Sequence, residues 1–97
     1  MNRLFYKEII EKTDNHEIFF FFIHSGNFSD CFDSDNNYKI VVLNGSLRVI
    51  SDDKKNEGFY SPNNVIEISY GEIFKLQNIS IDVLKLLIIK CKNVYLE

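Results

Sequence analysis

Few residues of this chain have the types and spacing that acid–base or metal chemistry requires. The histidines are His16 and His24, and the cysteines are Cys31 and Cys91. Cys31 precedes Asp33 by two positions, and a thiol and a carboxylate can donate and accept a proton. The alternative is a small buried cysteine next to an exposed loop carboxylate, which the usual placement of these residue types favours.

Metal and phosphate motifs are also missing from the sequence. Two isolated histidines fit no ligand spacing, and no partner residue for nucleophilic catalysis is identifiable, so structural roles are favoured for both. Residues 33–37 resemble the start of a calcium loop, but Tyr38 stands where the loop glycine belongs and Asn44 where the bidentate glutamate belongs. No glycine-rich phosphate loop or G-x-S-x-G element occurs. The sequence predicts no metal and no cofactor.

Composition limits the class of protein. The 97 residues suffice for one domain, expected to span 1–97, and 45% are hydrophobic and 26% charged, as in ordinary globular proteins. A formal net charge of −3 with scattered lysines argues against nucleic-acid binding. The longest apolar run, 18–23, is too short to cross a membrane, and no signal-peptide pattern is present, so a cytoplasmic protein is expected.

The elements that must position these side chains are short strands separated by turn residues. A regular series of this kind predicts an all-β sandwich or barrel. In the window 81–92, Leu84, Leu87 and Cys91 are spaced as in a helix, but the Leu-Leu-Ile-Ile block favours a buried strand. Asn44-Gly45 predicts a tight type I′ turn between two strands. The strands are expected at 4–11, 17–24, 38–43, 46–50, 59–60, 65–69, 73–78 and 83–89.

Two segments carry a family resemblance. Residues 38–49 resemble the strand and "G-S" hairpin of cupins. Residues 68–80 resemble the cupin element P-x-G-x-x-H-x-x-x-N, with Gly71 and Asn78 at the matching positions. The continuation into 86–89 resembles the nucleotide-sugar 3,4-ketoisomerases (WxcM-like cupins). This resemblance implies an all-β, cupin-like antiparallel β-barrel or jelly roll, and it covers about two thirds of the chain.

The residues at the family's chemical positions differ from those of the family. Counting from Gly45, the metal-binding H-x-H pair falls on Cys31 and Asp33. The glutamate falls on Tyr38 and the second-motif histidine on Phe74, which excludes a complete first shell of metal ligands. The family's upstream arginine falls on Phe28 and its aromatic platform on Ile73.

The ketoisomerases move protons without metal, which leaves an isomerase hypothesis open. In it Asp33 is the base, provided that burial raises its pKa, and Cys31 is the acid. His24 and Tyr38 would position the ligand, and Arg48 would contact a phosphate or carboxylate. The first hypothesis is therefore a degenerate relative that binds a nucleotide sugar and, if active, isomerises a dTDP-4-keto-hexose without metal.

The second hypothesis is a non-catalytic dimeric interaction module with a filled barrel. A polar interior with Arg48 and Tyr38 pointing inward would favour the first hypothesis. An interior filled by aromatic and aliphatic side chains would favour the second; the residues expected to fill it are Phe28, Phe32, Ile73 and Phe74.

The run Phe19–Phe22 adds a prediction about partners. It places large apolar groups on both faces of one strand, so one face is expected to pack the core and the other a second subunit. The resemblance implies a homodimer formed through the N-terminal strands, which ketoisomerase-type cupins exchange. The alternative is that the N-terminal strand of the same chain covers these side chains.

Overall fold

A computed structural model describes residues 4–33 and 35–92, and within them the chain is all β. This confirms the fold class predicted from the strand and turn pattern, and residues 84–92 form a strand rather than a helix. No helix able to cross a membrane occurs in the described ranges. The strands are β1 (Phe5–Lys12), β2 (His16–Ile23), β3 (Asn36–Asn44), β4 (Leu47–Ser51), β5 (Glu57–Tyr60), β6 (Val65–Ile68), β7 (Phe74–Asn78) and β8 (Leu84–Lys92).

The strands form two antiparallel sheets that enclose one core. The larger sheet has the order β1-β2-β8-β3-β6 and the smaller the order β5-β4-β7. In both sheets side chains alternate between the interior and the outside, as the two-residue period of a strand requires. In β2 this buries Phe19, Phe21 and Ile23 and leaves Phe20 and Phe22 half-buried on the outside. The phenylalanine run therefore has one core face and one outer face, as predicted.

The type I′ turn predicted at Asn44-Gly45 is not present. Asn44 has no positive φ, whereas Gly45 has φ +93°, so a type I′ turn, which needs two positive φ values, is excluded. β3 and β4 also lie in different sheets. Gly45 instead carries the chain from the larger sheet to the smaller, against Ser80 and Leu84, where an added Cβ would lie 2.9 Å from Ser80 Oγ.

The first strand, β1, is the edge of the larger sheet and pairs with β2 of the same chain. Seven of its eight residues are exposed, because β2 is the only described strand that lies beside it. A long edge strand with unpaired backbone groups is a ready surface for pairing with another chain. Leu4, Ile9 and Ile10, each about half exposed, add apolar surface to this edge.

Candidate functional site

Three polar side chains point into one end of the barrel from adjacent strands. Glu17 on β2 is the register partner of Lys90 on β8, and Lys90 is also the partner of Tyr38 on β3. All three have the parity of the core residues of their strands, so they form a polar row across the inner face of the larger sheet. The row lies where the barrel opens, beyond the apolar layers formed by the central parts of the strands.

Asp33 reaches this row from the long loop between β2 and β3. Its Oδ2 lies 4.0 Å from Lys90 Nζ, and its Oδ1 accepts hydrogen bonds from Asn36 Nδ2 at 2.8 Å and from the Asp35 amide at 3.0 Å. The nearby Tyr38 hydroxyl is a further hydrogen-bonding neighbour that lowers the pKa of Asp33. Partial burial pushes the pKa of Asp33 up, but these hydrogen bonds and the charge of Lys90 outweigh burial and lower its pKa. The raised pKa that a general base would need is absent.

Glu17 belongs to the site, although the sequence analysis did not single it out. The residue is only 7% exposed, and its Oε2 lies 3.3 Å from Lys7 Nζ of β1. The same ammonium group lies 4.9 Å from the centroid of the Phe19 ring. The signal that would have found Glu17 is the period of two in β2, which puts it on the same face as Phe19 and Phe21.

These groups line an open cavity of about 380 Å³ between β1, β2 and the long loop, here called the mouth cavity. Three residues proposed from the sequence, Cys31, Asp33 and Tyr38, contribute to its wall. Cys31 is exposed rather than buried, and its Sγ lies 3.8 Å from Asp52 Oδ1. The charged residues of the wall are Lys7, Glu17, Asp30, Asp33 and Lys90.

Aromatic rings fill the barrel beside this cavity. Phe32 and Phe74 stack with their centroids 4.9 Å apart. Tyr38 meets each of them edge-on at 5.3 Å, and Phe21 meets Phe32 edge-on at 5.7 Å. Such offset and edge-to-face contacts are the preferred geometries of aromatic pairs. The positions that carry the glutamate and the second histidine in metal-binding cupins thus hold two rings in contact.

The expected filling of the interior is only half right. Phe32 and Phe74 are inside, but Phe28 and Ile73 are 39% and 42% exposed. Phe28 forms an isolated β-bridge with Gln77 of β7. The Gln77 side chain points away from the core, because its neighbours Leu76 and Asn78 are the buried residues of the strand. Phe28 consequently sits on the outer surface of the smaller sheet.

Tyr38 is a buried titratable residue of the interior whose pKa is strongly shifted. Burial raises the pKa of its hydroxyl well above the ordinary value, and the neighbouring Asp33 carboxylate raises it further through its charge and by accepting the hydrogen bond. Tyr38 is thus a neutral hydrogen-bond donor at physiological pH and holds the loop residue Asp33 against β3.

Arg48 and His24 are not brought to this cavity. Arg48 lies on the outer face of the smaller sheet, where Nε donates to Glu57 Oε1 at 2.6 Å and Nη1 to Gln77 Oε1 at 3.0 Å. The inward orientation considered for it is therefore wrong, because Arg48 alternates with the buried Leu47. His24 is exposed just beyond β2, with its ring centroid 6.5 Å from that of Tyr6. The described residues contain no group of three or more metal-ligating side chains.

Comparison with known proteins identifies the fold. No protein-family model and no curated protein sequence matches the chain. Among solved structures, the cupin domain of Schizosaccharomyces pombe Cnp3 matches with a TM-score of 0.83 at 12% identity over 94% of this chain and 63% of that one. A Desulfitobacterium hafniense cupin superfamily protein matches with 0.82 at 15% identity over 92% and 78%.

A third match is the Cupin_2 domain of an XRE family transcriptional regulator from Enterobacter cloacae, with a TM-score of 0.82 at 12% identity over 95% of this chain and 100% of that domain. This chain thus spans less than two thirds of the Cnp3 domain and all of the Enterobacter domain. Similarity at such low identity establishes the fold alone. The chain has the cupin fold, so the fold that the resemblance implied is confirmed, and the relation to the ketoisomerases stays a prediction.

Proposed function

We propose that this chain is a non-catalytic cupin-fold domain that works as a homodimeric interaction module. The observation that carries the proposal is the stacked pair Phe32–Phe74 with Tyr38 against it. These rings fill the barrel interior beside the mouth cavity, and they are held by their packing on one another. Truncating a buried ring costs about 3–5 kcal/mol, so these packed rings contribute to the stability of the domain.

The surroundings of Cys31 and Asp33, the candidate acid and base, also favour a non-catalytic domain. Enolisation of a sugar needs a base whose pKa lies near the working pH and an acid aimed at the same substrate. The pKa of Asp33 is lowered by its hydrogen bonds, and the Cys31 thiol is directed towards Asp52. Two residues of the proposed machinery are therefore engaged in other contacts, and Arg48 lies on the opposite surface.

The outer face of the larger sheet offers the surface for dimerisation. The register places Tyr6 beside Phe22 and Phe20 beside Leu87, and Ile18 beside Ile89 follows in the next row. We call this set the outer apolar face. Its members are half-buried or exposed in the isolated chain. A contiguous apolar patch of this kind is typical of an interface.

A second copy of this chain is the partner that the charges of this face suit. Glu8 lies beside Phe20 on one flank, and Lys85 lies beside Phe22 on the other. A two-fold axis in the plane of the face, passing between Phe20 and Phe22, would place Glu8 of each subunit opposite Lys85 of the partner subunit. With such an axis the charges of the two copies would be complementary, as an isologous interface requires.

Sedimentation equilibrium of the full chain tests this proposal. The wild type should be a dimer at about 100 µM, a concentration at which even a micromolar Kd gives nearly complete association. Leu87→Glu should shift it to monomer, since a buried unpaired charge costs several kcal/mol. Lys85→Glu should weaken association, and the double charge reversal Glu8→Lys with Lys85→Glu should restore it.

The control for these variants is Lys54→Glu, a charge reversal in a turn of the smaller sheet, which should leave the dimer intact. Circular dichroism and thermal melts check that each variant is folded. A monomeric wild type, or a Leu87→Glu variant that dimerises as the wild type does, would contradict the proposal. Dimerisation lost on Ile9→Glu and Ile10→Glu, but not on Leu87→Glu, would assign the interface to the β1 edge instead.

A second candidate function is binding of a small ligand, such as a nucleotide sugar, in the mouth cavity. The observation in its favour is that Cys31, Asp33 and Tyr38 line one cavity. The charges of the wall oppose a diphosphate, because three carboxylates face two ammonium groups there. A thermal-shift screen with dTDP-sugars and divalent metals decides the matter: a ligand at 100 times its Kd stabilises by about 2.7 kcal/mol, and no shift with any nucleotide removes this candidate.

A further inference from the structure

The outer surface of the smaller sheet carries a further pocket, whose lining residues differ from those of the mouth cavity. It has a volume of about 460 Å³ and is lined by Phe28, Arg48, Ile50, Ser51, Asp52, Lys54 and Lys75. Three of these side chains are cationic and one is anionic, on a chain whose formal net charge is −3. Here we call it the outer pocket.

The floor of the outer pocket is apolar. Ile50 pairs with Lys75 of β7, whose side chain points outward, so Ile50 also faces away from the core. It is nevertheless only 8% exposed, because the side chains of the pocket surround it. Phe28 forms the adjacent wall and keeps 39% of its surface exposed. The exposed Phe28 ring, next to the largely covered Ile50, gives the pocket an apolar side on which an aromatic ring can pack.

The rim of the pocket is positively charged and partly unpaired. Lys75 Nζ lies 5.8 Å from the centroid of the Phe28 ring, and no ion pair joins Lys54 or Lys75 to a carboxylate of the described residues. Arg48 donates hydrogen bonds from Nε to Glu57 and from Nη1 to Gln77. Its Nη2 group makes no hydrogen bond to the part of the chain that the structure describes, and a guanidinium has five donors to use.

The aromatic wall is held in place before any ligand arrives. Phe28 forms a bridge with Gln77, and the next residue, the buried Ser29, donates its amide to Leu76 O at 2.8 Å. Ser29 Oγ in turn accepts a hydrogen bond from the Leu76 amide at 3.0 Å. A wall fixed in this way loses little conformational freedom on binding.

The geometry points to a binding site for a small aromatic anion in the outer pocket: the ring packs on Phe28 and Ile50, and the anionic group meets Lys54, Lys75 and the free edge of Arg48. A neutral ring would leave Lys54 and Lys75 without an anionic partner. An inorganic anion would leave the apolar floor exposed. A ligand that combines the two groups satisfies both parts of the pocket.

The test is an NMR titration of the ¹⁵N-labelled chain with phenyl phosphate, inorganic phosphate and phenol. Phenyl phosphate should shift the amides of Phe28, Ile50 and Lys75, and it should bind at least about tenfold more tightly than either fragment, since the two contributions combine in one molecule. Binding should weaken as the salt concentration rises. Shifts confined to Asp33, Tyr38 and Lys90 would place the ligand in the mouth cavity and overturn the inference.

Matched variants separate the pocket from general surface charge. Lys54→Gln should weaken phenyl phosphate binding about twofold to fivefold, whereas Lys55→Gln, one residue away and outside the pocket, should not. Phe28→Ala should abolish binding, and Phe59→Ala, which removes another exposed ring of the same sheet, should leave it intact. Equal losses in the two lysine variants, or no saturation by about 10 mM phenyl phosphate, would refute the site.

Discussion

Asn78 Nδ2 donates a hydrogen bond to the carbonyl oxygen of Ile23 at 2.8 Å, across 55 residues of sequence. The same amide group donates to Asp82 O at 2.7 Å, and Asn78 Oδ1 accepts from the Ser80 amide at 2.8 Å. One side chain therefore joins the end of β2, the end of β7 and the loop that leads to β8. Asn78 is fully buried, and its bond to Ile23 is buried with it.

Asn78→Ala is expected to lower the free energy of unfolding by about 2–4 kcal/mol, because it leaves the buried Ile23 carbonyl without this partner and removes the bonds to Asp82 and Ser80. Urea denaturation followed by circular dichroism measures the change. Asn56→Ala, which truncates an exposed asparagine, is the control and should stay within about 0.5 kcal/mol of the wild type. A loss below 1 kcal/mol at position 78 would show that water replaces these bonds.

Gly45→Ala is expected to be more costly than Gly71→Ala, although the two glycines have φ values of +93° and +97°. Both substitutions carry the strain of a left-handed backbone, about 1–2 kcal/mol. Only at Gly45 would the new methyl group also press on Ser80 Oγ and on the backbone of Leu84, since nothing lies within 4 Å at Gly71. The difference between the two variants in the free energy of unfolding, measured by denaturation curves, gives the steric cost at Gly45. Equal losses of stability would contradict the close contact of Gly45 with Ser80 and Leu84.

Phe74→Ala is expected to lower the free energy of unfolding by about 3–5 kcal/mol, because it opens a cavity beneath Phe32 and Tyr38. Phe59, which is 61% exposed, provides the comparison, and Phe59→Ala should cost no more than about 0.5 kcal/mol. Thermal melts of both variants provide the measurement. A tolerated Phe74→Ala would mean that the aromatic layer can be emptied, which would weaken the case for a filled barrel.

Tyr38 is expected to make the protein sensitive to alkali. Its pKa is raised in the folded state by burial and by Asp33, so its contribution to stability is complete below the unfolded pKa of about 10. As the pH rises further, only the unfolded chain releases this proton, and stability falls by up to about 1.4 kcal/mol per pH unit until the folded pKa is reached. Urea midpoints between pH 9 and 11 should fall less steeply in Tyr38→Phe; parallel slopes would refute the assignment.

The sequence alone determined the local elements and the kind of fold. Strand-forming residues broken by turn residues fixed the eight segments to within a few residues, because the period of two and the turn preferences act over short distances. Gly45, Gly71 and Asn78 gave the cupin resemblance, since positive φ and a buried amide bridge restrict residue choice strongly. The pattern also separated the two faces of the phenylalanine run.

Only the tertiary structure decided which side chains meet. Glu17 joins Lys7, Asp33 approaches Tyr38 and Lys90, and Arg48 turns outward to Glu57, because pairing between distant strands sets these contacts and no local pattern encodes them. The loop that carries Cys31 and Asp33 has no period from which its path can be read. The balance of burial, hydrogen bonds and charge that lowers the pKa of Asp33 likewise arises only when these segments come together in space.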